Sequence, residues 1–203
     1  MGRSSGLGIT FEPYFLTVLL ALPFIGSVIC VFLLNNKSRD LSVAVGGAVT
    51  LMAILLTAGF YPLVSDGQAV RYSLEWVPQL GLNFSLRMDG FAWIFTMLIA
   101  VIGFLVVLYA RYYMGKDDSV ARFFSFLMAF MGAMLGIVLS GNVILLSVFW
   151  ELTSIFSFML ISFWHHNAAA RDGARMALTV TGIGGFSLLI GLLLLGNIVG
   201  SYD

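Results

Sequence analysis

The residue with the clearest chemical potential is Glu151, an acid inside an apolar segment. The stretch from Ser140 to His166 is apolar enough to cross a membrane, and of the ten acids in the chain only Glu151 lies deep inside a predicted span. A carboxylate near the bilayer centre costs about 2.5–3.5 kcal/mol on insertion scales, so such residues usually face a bundle interior and serve a pathway. The position of Glu151 therefore predicts a proton carrier; the alternative is a structural acid that pairs with another helix.

Further polar residues share the predicted helix face of Glu151. At 100° per residue, four side chains fall within about 60° of the acid: Ser147, Ser154, Ser162 and His165. Ser140 would join them if the helix began that early. A stripe of this kind would leave its polar groups unsatisfied in lipid, so we expect it to face the protein interior or a hydrated cavity.

Two histidines close this segment. His165 would lie roughly 21 Å along the axis from Glu151, too far for contact but suited to a group through which protons enter, because imidazole titrates near physiological pH. The alternative for His165 and for His166 is an interfacial anchor beside Trp164. No Lys, Arg or His occurs inside any predicted span, so Glu151 has no basic partner within these segments.

The composition indicates a polytopic membrane protein. Of 203 residues, 60% are hydrophobic and 10% charged, whereas soluble domains carry about 25% charged residues. The net charge of zero gives no sign of nucleic-acid binding. A single cysteine, Cys30, excludes a disulfide framework and a cysteine metal site. No Gly-rich nucleotide loop follows a strand, so we expect no cofactor and no metal.

Hydropathy places six membrane spans, and we expect an all-α membrane domain that occupies the whole chain, 1–203. The first span is kept as a helix because its apolar run is longer than the core of a signal peptide. The spans lie near 14–34, 41–61, 90–111, 122–140, 143–164 and 175–199. The loops on one side of the predicted membrane carry seven Lys and Arg residues, and those on the other side carry three. Because loops rich in Lys and Arg usually stay in the cytoplasm, we expect the side with seven bases to be cytoplasmic and the N-terminus to lie outside.

The long connection between the second and third spans shows period-2 patterning. Apolar and polar residues alternate over 70–75 and again over 82–87. This pattern predicts a short extracytoplasmic β-hairpin within 66–88. It would cap the helix ends or contact a neighbouring subunit.

Glycines mark two spans as packing helices. Gly132 and Gly136 lie four apart in the fourth span, a spacing that lets helices approach closely. The sixth span carries Gly182, Gly184, Gly185 and Gly191. We interpret these as packing grooves; the alternative is a broken helix.

Four sequence runs carry a resemblance to a known family. They are R-M-D-G-F (87–91), L-Y-A-R-Y-Y-M (108–114), the run over 121–142, and F-W-E-L-T-S-I-F-S-F-M-L-I (149–161). They resemble the antiporter-like subunits shared by Mrp-type cation/proton antiporters and respiratory complex I. W-E-L-T-S, F-W-H-H and V-T-G-I-G-G look most like the N-terminal part of the large A-type subunit of Mrp antiporters. The complex I relative typically has W-E-G, with Arg and Asp at the positions of Gly182 and Gly185.

The resemblance implies the first part of a fold of about fourteen helices built from inverted repeats. It also implies that Glu151 is the functional acid, partnered by a membrane lysine on a helix beyond residue 203, so the chain would be a fragment of a longer subunit. Asp89 matches the family's R-x-D-G segment, with a capping or a transport role. His165 and His166 match its W-H-H, and the resemblance itself implies no role for this motif.

These observations predict a subunit of a Na⁺/proton antiporter in a bacterial plasma membrane, a secondary transporter and not an enzyme. Its partners would be the other Mrp subunits, the rest of its own subunit, protons, Na⁺ or a similar cation, and lipid. One alternative is a proton-translocating subunit of an NADH-quinone oxidoreductase. Another is a structural scaffold with no transport role.

Overall fold

Within the part of the chain that the structure describes, six helices are long and apolar enough to cross a membrane, as predicted. The computed structural model describes residues 12–35, 39–77, 82–115, 118–164 and 166–202. The elements in chain order are α1 (Phe15–Phe32), continued by a 3₁₀ turn (Leu33–Asn35), α2 (Arg39–Gly59), α3 (Tyr61–Ser65), β1 (Val70–Val77), β2 (Leu82–Met88), α4 (Gly90–Tyr113), α5 (Val120–Leu139), α6 (Val143–Ile161) and α7 (Ala168–Val199). This helical architecture with one small hairpin confirms the predicted fold class.

The sixth span differs from the sequence expectation. Helix α7 begins at Ala168, earlier than the expected start near 175, and runs unbroken to Val199. The alternative of a broken helix at its glycines is therefore wrong. Neighbouring glycines weaken a helix by only about 1 kcal/mol each, which the apolar surroundings of a span outweigh because free backbone groups are costly there.

Helix α5 lies at the centre of the bundle. Over half of its span, 56%, is buried, against 6% for α7, and it contacts α1, α2, α4 and α6. A Cβ at Gly132 would lie 2.8 Å from the Phe24 ring of α1, and one at Gly136 would overlap the Phe149 ring of α6. The two glycines therefore admit aromatic rings from two neighbouring helices, which confirms their packing role.

The base-rich end is tied together by arginines that bind backbone carbonyls. The Arg39 guanidinium donates to the carbonyl oxygens of Arg111 and Met114, both at 2.7 Å, at the end of α4. A cation here offsets the negative end of the helix dipole. Arg122 donates to the Phe163 carbonyl oxygen at 3.2 Å and lies over the Phe163 ring. The cytoplasmic assignment of this end remains a prediction.

The hairpin covers the turn between α5 and α6 at the opposite end. Strands β1 and β2 pair antiparallel, with Tyr72 opposite Leu86. Leu86 and Met88 are fully buried, and the Gly141 amide donates to the Ser85 carbonyl oxygen at 2.8 Å. The predicted hairpin is confirmed, and the structure gives it the capping position. Its predicted tip, 78–81, lies outside the described residues.

Asp89 joins the hairpin to α4. Its Oδ1 accepts from the Ala92 amide at 3.0 Å, so Asp89 N-caps α4, and its Oδ2 pairs with Arg87 at 2.8 Å. Of the two roles expected for Asp89, this geometry is that of a helix cap.

We expect Gly136→Ala to destabilise the bundle, because the added methyl group overlaps the Phe149 ring. Overpacking of this kind costs roughly 1–3 kcal/mol. The measurement is the height of the monodisperse peak in size-exclusion chromatography after the detergent-solubilised protein has been heated. The temperature that halves this peak should fall by several degrees. Gly47→Ala is the matched control, since a Cβ at Gly47 meets nothing within 4 Å. Equal temperatures for the two variants would contradict the packing role of Gly136.

Candidate functional site

Helix α6 carries the candidate site and begins at an asparagine cap. Asn142 Oδ1 accepts from the amides of Ile144 at 2.9 Å and Leu145 at 3.3 Å. Asparagine is among the best N-cap residues because its side chain satisfies amides that have no partner in the first turn. The Val143 amide donates to the Tyr202 carbonyl oxygen at 2.9 Å. Ser140 therefore precedes α6 and does not extend its polar face.

The rotation of α6 is set by Phe149. Its ring lies against Gly136 of α5 and is 8% exposed. Glu151 lies about 160° around the helix from Phe149, next to the midpoint of α6. Because Phe149 points at α5, Glu151 points away from it.

The Glu151 carboxyl group lies at the contact between α6 and α7. A Cβ built on Gly185 of α7 would overlap Glu151 Oε1, lie 2.9 Å from Glu151 Cδ and lie 3.2 Å from Trp150 Cδ1. The carboxylate therefore rests against the α7 backbone at a glycine. Glu151 as a whole residue is half-buried.

On its other side Glu151 borders an open apolar surface. Val148 and Ile155 lie about 60° and 40° from Glu151 around the helix, and they are 51% and 41% exposed. Among the described residues no cationic side chain forms an ion pair with Glu151. The acid is thus flanked by α7 on one side and by a surface that could receive another helix on the other.

The serines near Glu151 are buried but bind their own helix. Ser147 and Ser154 are 5% and 6% exposed. Their hydroxyls donate to the carbonyl oxygens of Val143 at 3.0 Å and Trp150 at 3.3 Å. They therefore share a face with Glu151 without donating to its carboxylate.

Helix α6 covers only part of the stripe expected from Ser140 to His165. Helix α6 spans only Val143–Ile161, because Asn142 caps its start and Ser162 forms its C-cap. The Ser162 hydroxyl donates to the Met159 carbonyl oxygen at 3.4 Å. His165 lies outside the described residues, and His166 is exposed in the turn before α7.

The structure contains a second polar surface that the sequence patterns did not predict. A groove of about 460 Å³ opens between α5, α6 and α7 and is lined by four hydroxyl side chains: Thr153, Ser154, Ser157 and Thr181. Thr153 and Ser157 lie about 120–160° from Glu151, so a search centred on the acid omits them. Their i, i+4 spacing is a helical-face signal, but its meaning depends on where α7 packs.

Three of the four groove hydroxyls, those of Thr153, Ser154 and Thr181, already donate their one proton to their own helix. Thr153 donates to the Trp150 carbonyl oxygen at 2.7 Å, and Thr181 to that of Ala177 at 2.8 Å. Each hydroxyl has one proton and two lone pairs, so the lone pairs remain available to water or a cation. Within the described part of the chain, no group of three or more His, Cys, Asp or Glu side chains could hold a metal ion.

Two family descriptions match the chain and together cover more than half of it. Residues 76–124 match the N-terminus of chain 5 of NADH-ubiquinone oxidoreductase (complex I). Residues 140–203, which include α6 and α7, match the transmembrane region described as NADH:quinone oxidoreductase/Mrp antiporter.

Curated relatives are much longer than this chain. The A/B subunit of a probable K⁺/H⁺ antiporter of Rhizobium meliloti is 57% identical over 96% of this chain, which covers 19% of that protein. The A1 subunit of a Na⁺/H⁺ antiporter of Staphylococcus aureus is 50% identical over 64% of this chain, which covers 16% of that protein. The chain thus spans less than a fifth of either relative.

Two solved structures share the fold. One chain of the Mrp complex from Dietzia sp. is 29% identical with a TM-score of 0.79, and the match covers 93% of this chain and 20% of that one. One chain of an archaeal membrane-bound sulfane sulfur reductase is 22% identical with a TM-score of 0.77, over 92% of this chain and 28% of that one.

We expect Asn142→Ala to loosen the first turn of α6, because two amides lose their acceptor. Loss of an N-cap costs about 1 kcal/mol, which corresponds to roughly fivefold faster local opening. Hydrogen exchange of the amides over 143–147, followed by mass spectrometry, measures this change. Asn142→Asp keeps an acceptor and should exchange as the wild type does; equal rates for both variants and the wild type would rule out a capping role.

Proposed function

The chain belongs to the family of antiporter-like membrane subunits shared by NADH:quinone oxidoreductase and Mrp antiporters, and we propose that its Glu151 carries protons in a multi-subunit monovalent cation/proton antiporter. The observation that supports this role most directly is the depth of the acid. Glu151 has roughly 12–15 Å of α6 on either side. A retained acid at that depth is costly unless it serves a pathway.

The surroundings of Glu151 suit a carboxylate whose partner changes during transport. On one side the carboxylate rests against Gly185 of α7, and on the other it borders the open surface at Val148 and Ile155. We propose that a basic side chain from the remainder of the assembly approaches across this surface. Proton binding at Glu151 would then alternate with ion pairing to that base.

The transported cation is proposed to be Na⁺ or a similar monovalent ion. The relatives named above differ on this point, one being named for K⁺ and the other for Na⁺. Coupling would require the further subunits of the complex and the rest of the longer subunit. The setting is a lipid bilayer, proposed to be a bacterial plasma membrane with the N-terminus outside. His165 would take up protons on the cytoplasmic side.

Glu151→Gln in the full-length subunit of the assembled complex tests the proposal. Glutamine keeps the shape of the side chain but cannot release a proton at neutral pH. We expect the initial rate of cation-driven proton movement in everted vesicles to fall at least about tenfold, since a positioned proton-transfer group contributes about 10²–10⁴-fold to a reaction. Na⁺ and K⁺ are added separately to identify the cation.

The control for this variant is Asp172→Asn, because Asp172 is an exposed acid near the start of α7. It should leave the rate within twofold of the wild type. Undiminished transport by Glu151→Gln would remove Glu151 from the mechanism. Full activity of Glu151→Leu as well would favour a purely structural role for the chain.

A second candidate function is proton translocation within an NADH-quinone oxidoreductase. Both matching family descriptions name that enzyme. Purification of the assembled complex separates the two functions. An antiporter should contain membrane subunits alone, whereas flavin and iron–sulfur absorbance, with proton movement driven by NADH, would establish the oxidoreductase.

A further inference from the structure

The glycines of α7 differ sharply in what surrounds them. A Cβ built on Gly182, Gly184 or Gly191 meets nothing within 4 Å, whereas one on Gly185 overlaps Glu151 Oε1. A helix that needed glycines only for flexibility would not show this contrast. The space at Gly185 is therefore occupied by the acid.

Gly185 also belongs to the seam along which α7 meets its neighbours. The buried residues of α7 are Ala174, Gly185 and Gly196, each eleven residues from the next. Eleven residues bring a helix back to within about 20° of the same direction, so the three small residues form one face. Gly185 lies in the middle of this face, at the depth of Glu151.

We propose that Gly185 is a positioning residue that keeps the Glu151 carboxylate between α6 and α7. This role rests on the proposed function of Glu151, and it assigns Gly185 to the same site. A methyl group at Gly185 would occupy the place of Oε1 and come within 2.9 Å of Cδ. The side chain would then have to turn toward the open surface at Val148 and Ile155.

Such a change should alter chemistry more than folding. The atoms displaced are the end of a flexible side chain that is half-buried, and Trp150 Cδ1, at 3.2 Å from the built Cβ, needs to move only slightly. Proton transfer, in contrast, requires heavy atoms within about 2.6–3.2 Å. A displacement of about 1 Å can cost about a hundredfold in rate.

The test compares Gly185→Ala with Gly182→Ala in the full-length subunit of the assembled complex. Gly182→Ala is a matched control, because it adds the same methyl group three residues away in open space. We expect Gly185→Ala to lower cation-driven proton movement at least about tenfold and Gly182→Ala to stay within twofold. Equal rates in Gly185→Ala and the wild type would overturn the proposal.

A chemical readout follows the carboxylate itself. The rate at which a hydrophobic carbodiimide labels residue 151, measured by mass spectrometry, should change severalfold in Gly185→Ala and not in Gly182→Ala. Normal transport by Glu151→Gln would contradict the proton-carrier function. The labelling rates of the variants that retain Glu151 would still test the position of its carboxylate. If Glu151→Gln is inactive but Gly185→Ala labels and transports as the wild type does, only the positioning role falls.

A shorter acid distinguishes positioning from packing. Glu151→Asp withdraws the carboxylate by one methylene, so Gly185→Ala should have little further effect on labelling or transport in that background. Additive losses in the double variant would instead indicate that Gly185 serves helix packing alone. Gly185→Ala alone could prevent assembly of the complex. In that case, restoration of assembly by adding Glu151→Asp would support the overlap between the methyl group and the carboxylate. Failure to restore assembly would overturn the proposal.

Discussion

The contact between Phe149 and Gly136 is the constraint on which the arrangement of the site depends. Interiors are close-packed, so a ring seated against a glycine leaves α6 little freedom to rotate. Because α5 is the most enclosed of the spans, this contact ties α6 to the centre of the bundle. It also directs Glu151, on the opposite side of α6, toward α7 and the open surface. One apolar contact thus decides where the acid points.

The two buried serines beside Glu151 satisfy their hydroxyls within their own helix. The hydroxyls of Ser147 and Ser154 donate to carbonyl oxygens of their own helix, as hydroxyls inside an apolar span generally do. They therefore do not hold the carboxylate through hydrogen bonds. Within the described residues, what limits the acid is the space left at Gly185 of α7. Shape, more than a polar network, defines this half of the site.

Much of the fold followed from local sequence patterns. Hydropathy identified the six spans, and alternation over 70–75 and 82–87 identified the hairpin, because both patterns depend on neighbouring residues alone. The start of α6 at Val143 agrees with the predicted span 143–164, whereas its end at Ile161 comes three residues earlier because Ser162 caps the helix inside an apolar run. The hydroxyl groove was missed because Thr181 joins Thr153 and Ser157 only when α7 packs on α6.

By itself the sequence determined that the described residues contain six helices long and apolar enough to cross a membrane, that a hairpin lies between the second and third of them, and that an acid lies near the middle of the fifth. These properties arise from composition and period, which act over a few residues. Only the tertiary structure decided that Glu151 faces away from α5 and that Gly185, alone of the six glycines in α7, receives its carboxylate. The reason is that helix rotation and partner choice depend on side chains far apart in the chain, such as Phe149 and Gly136, whose contact no local pattern records.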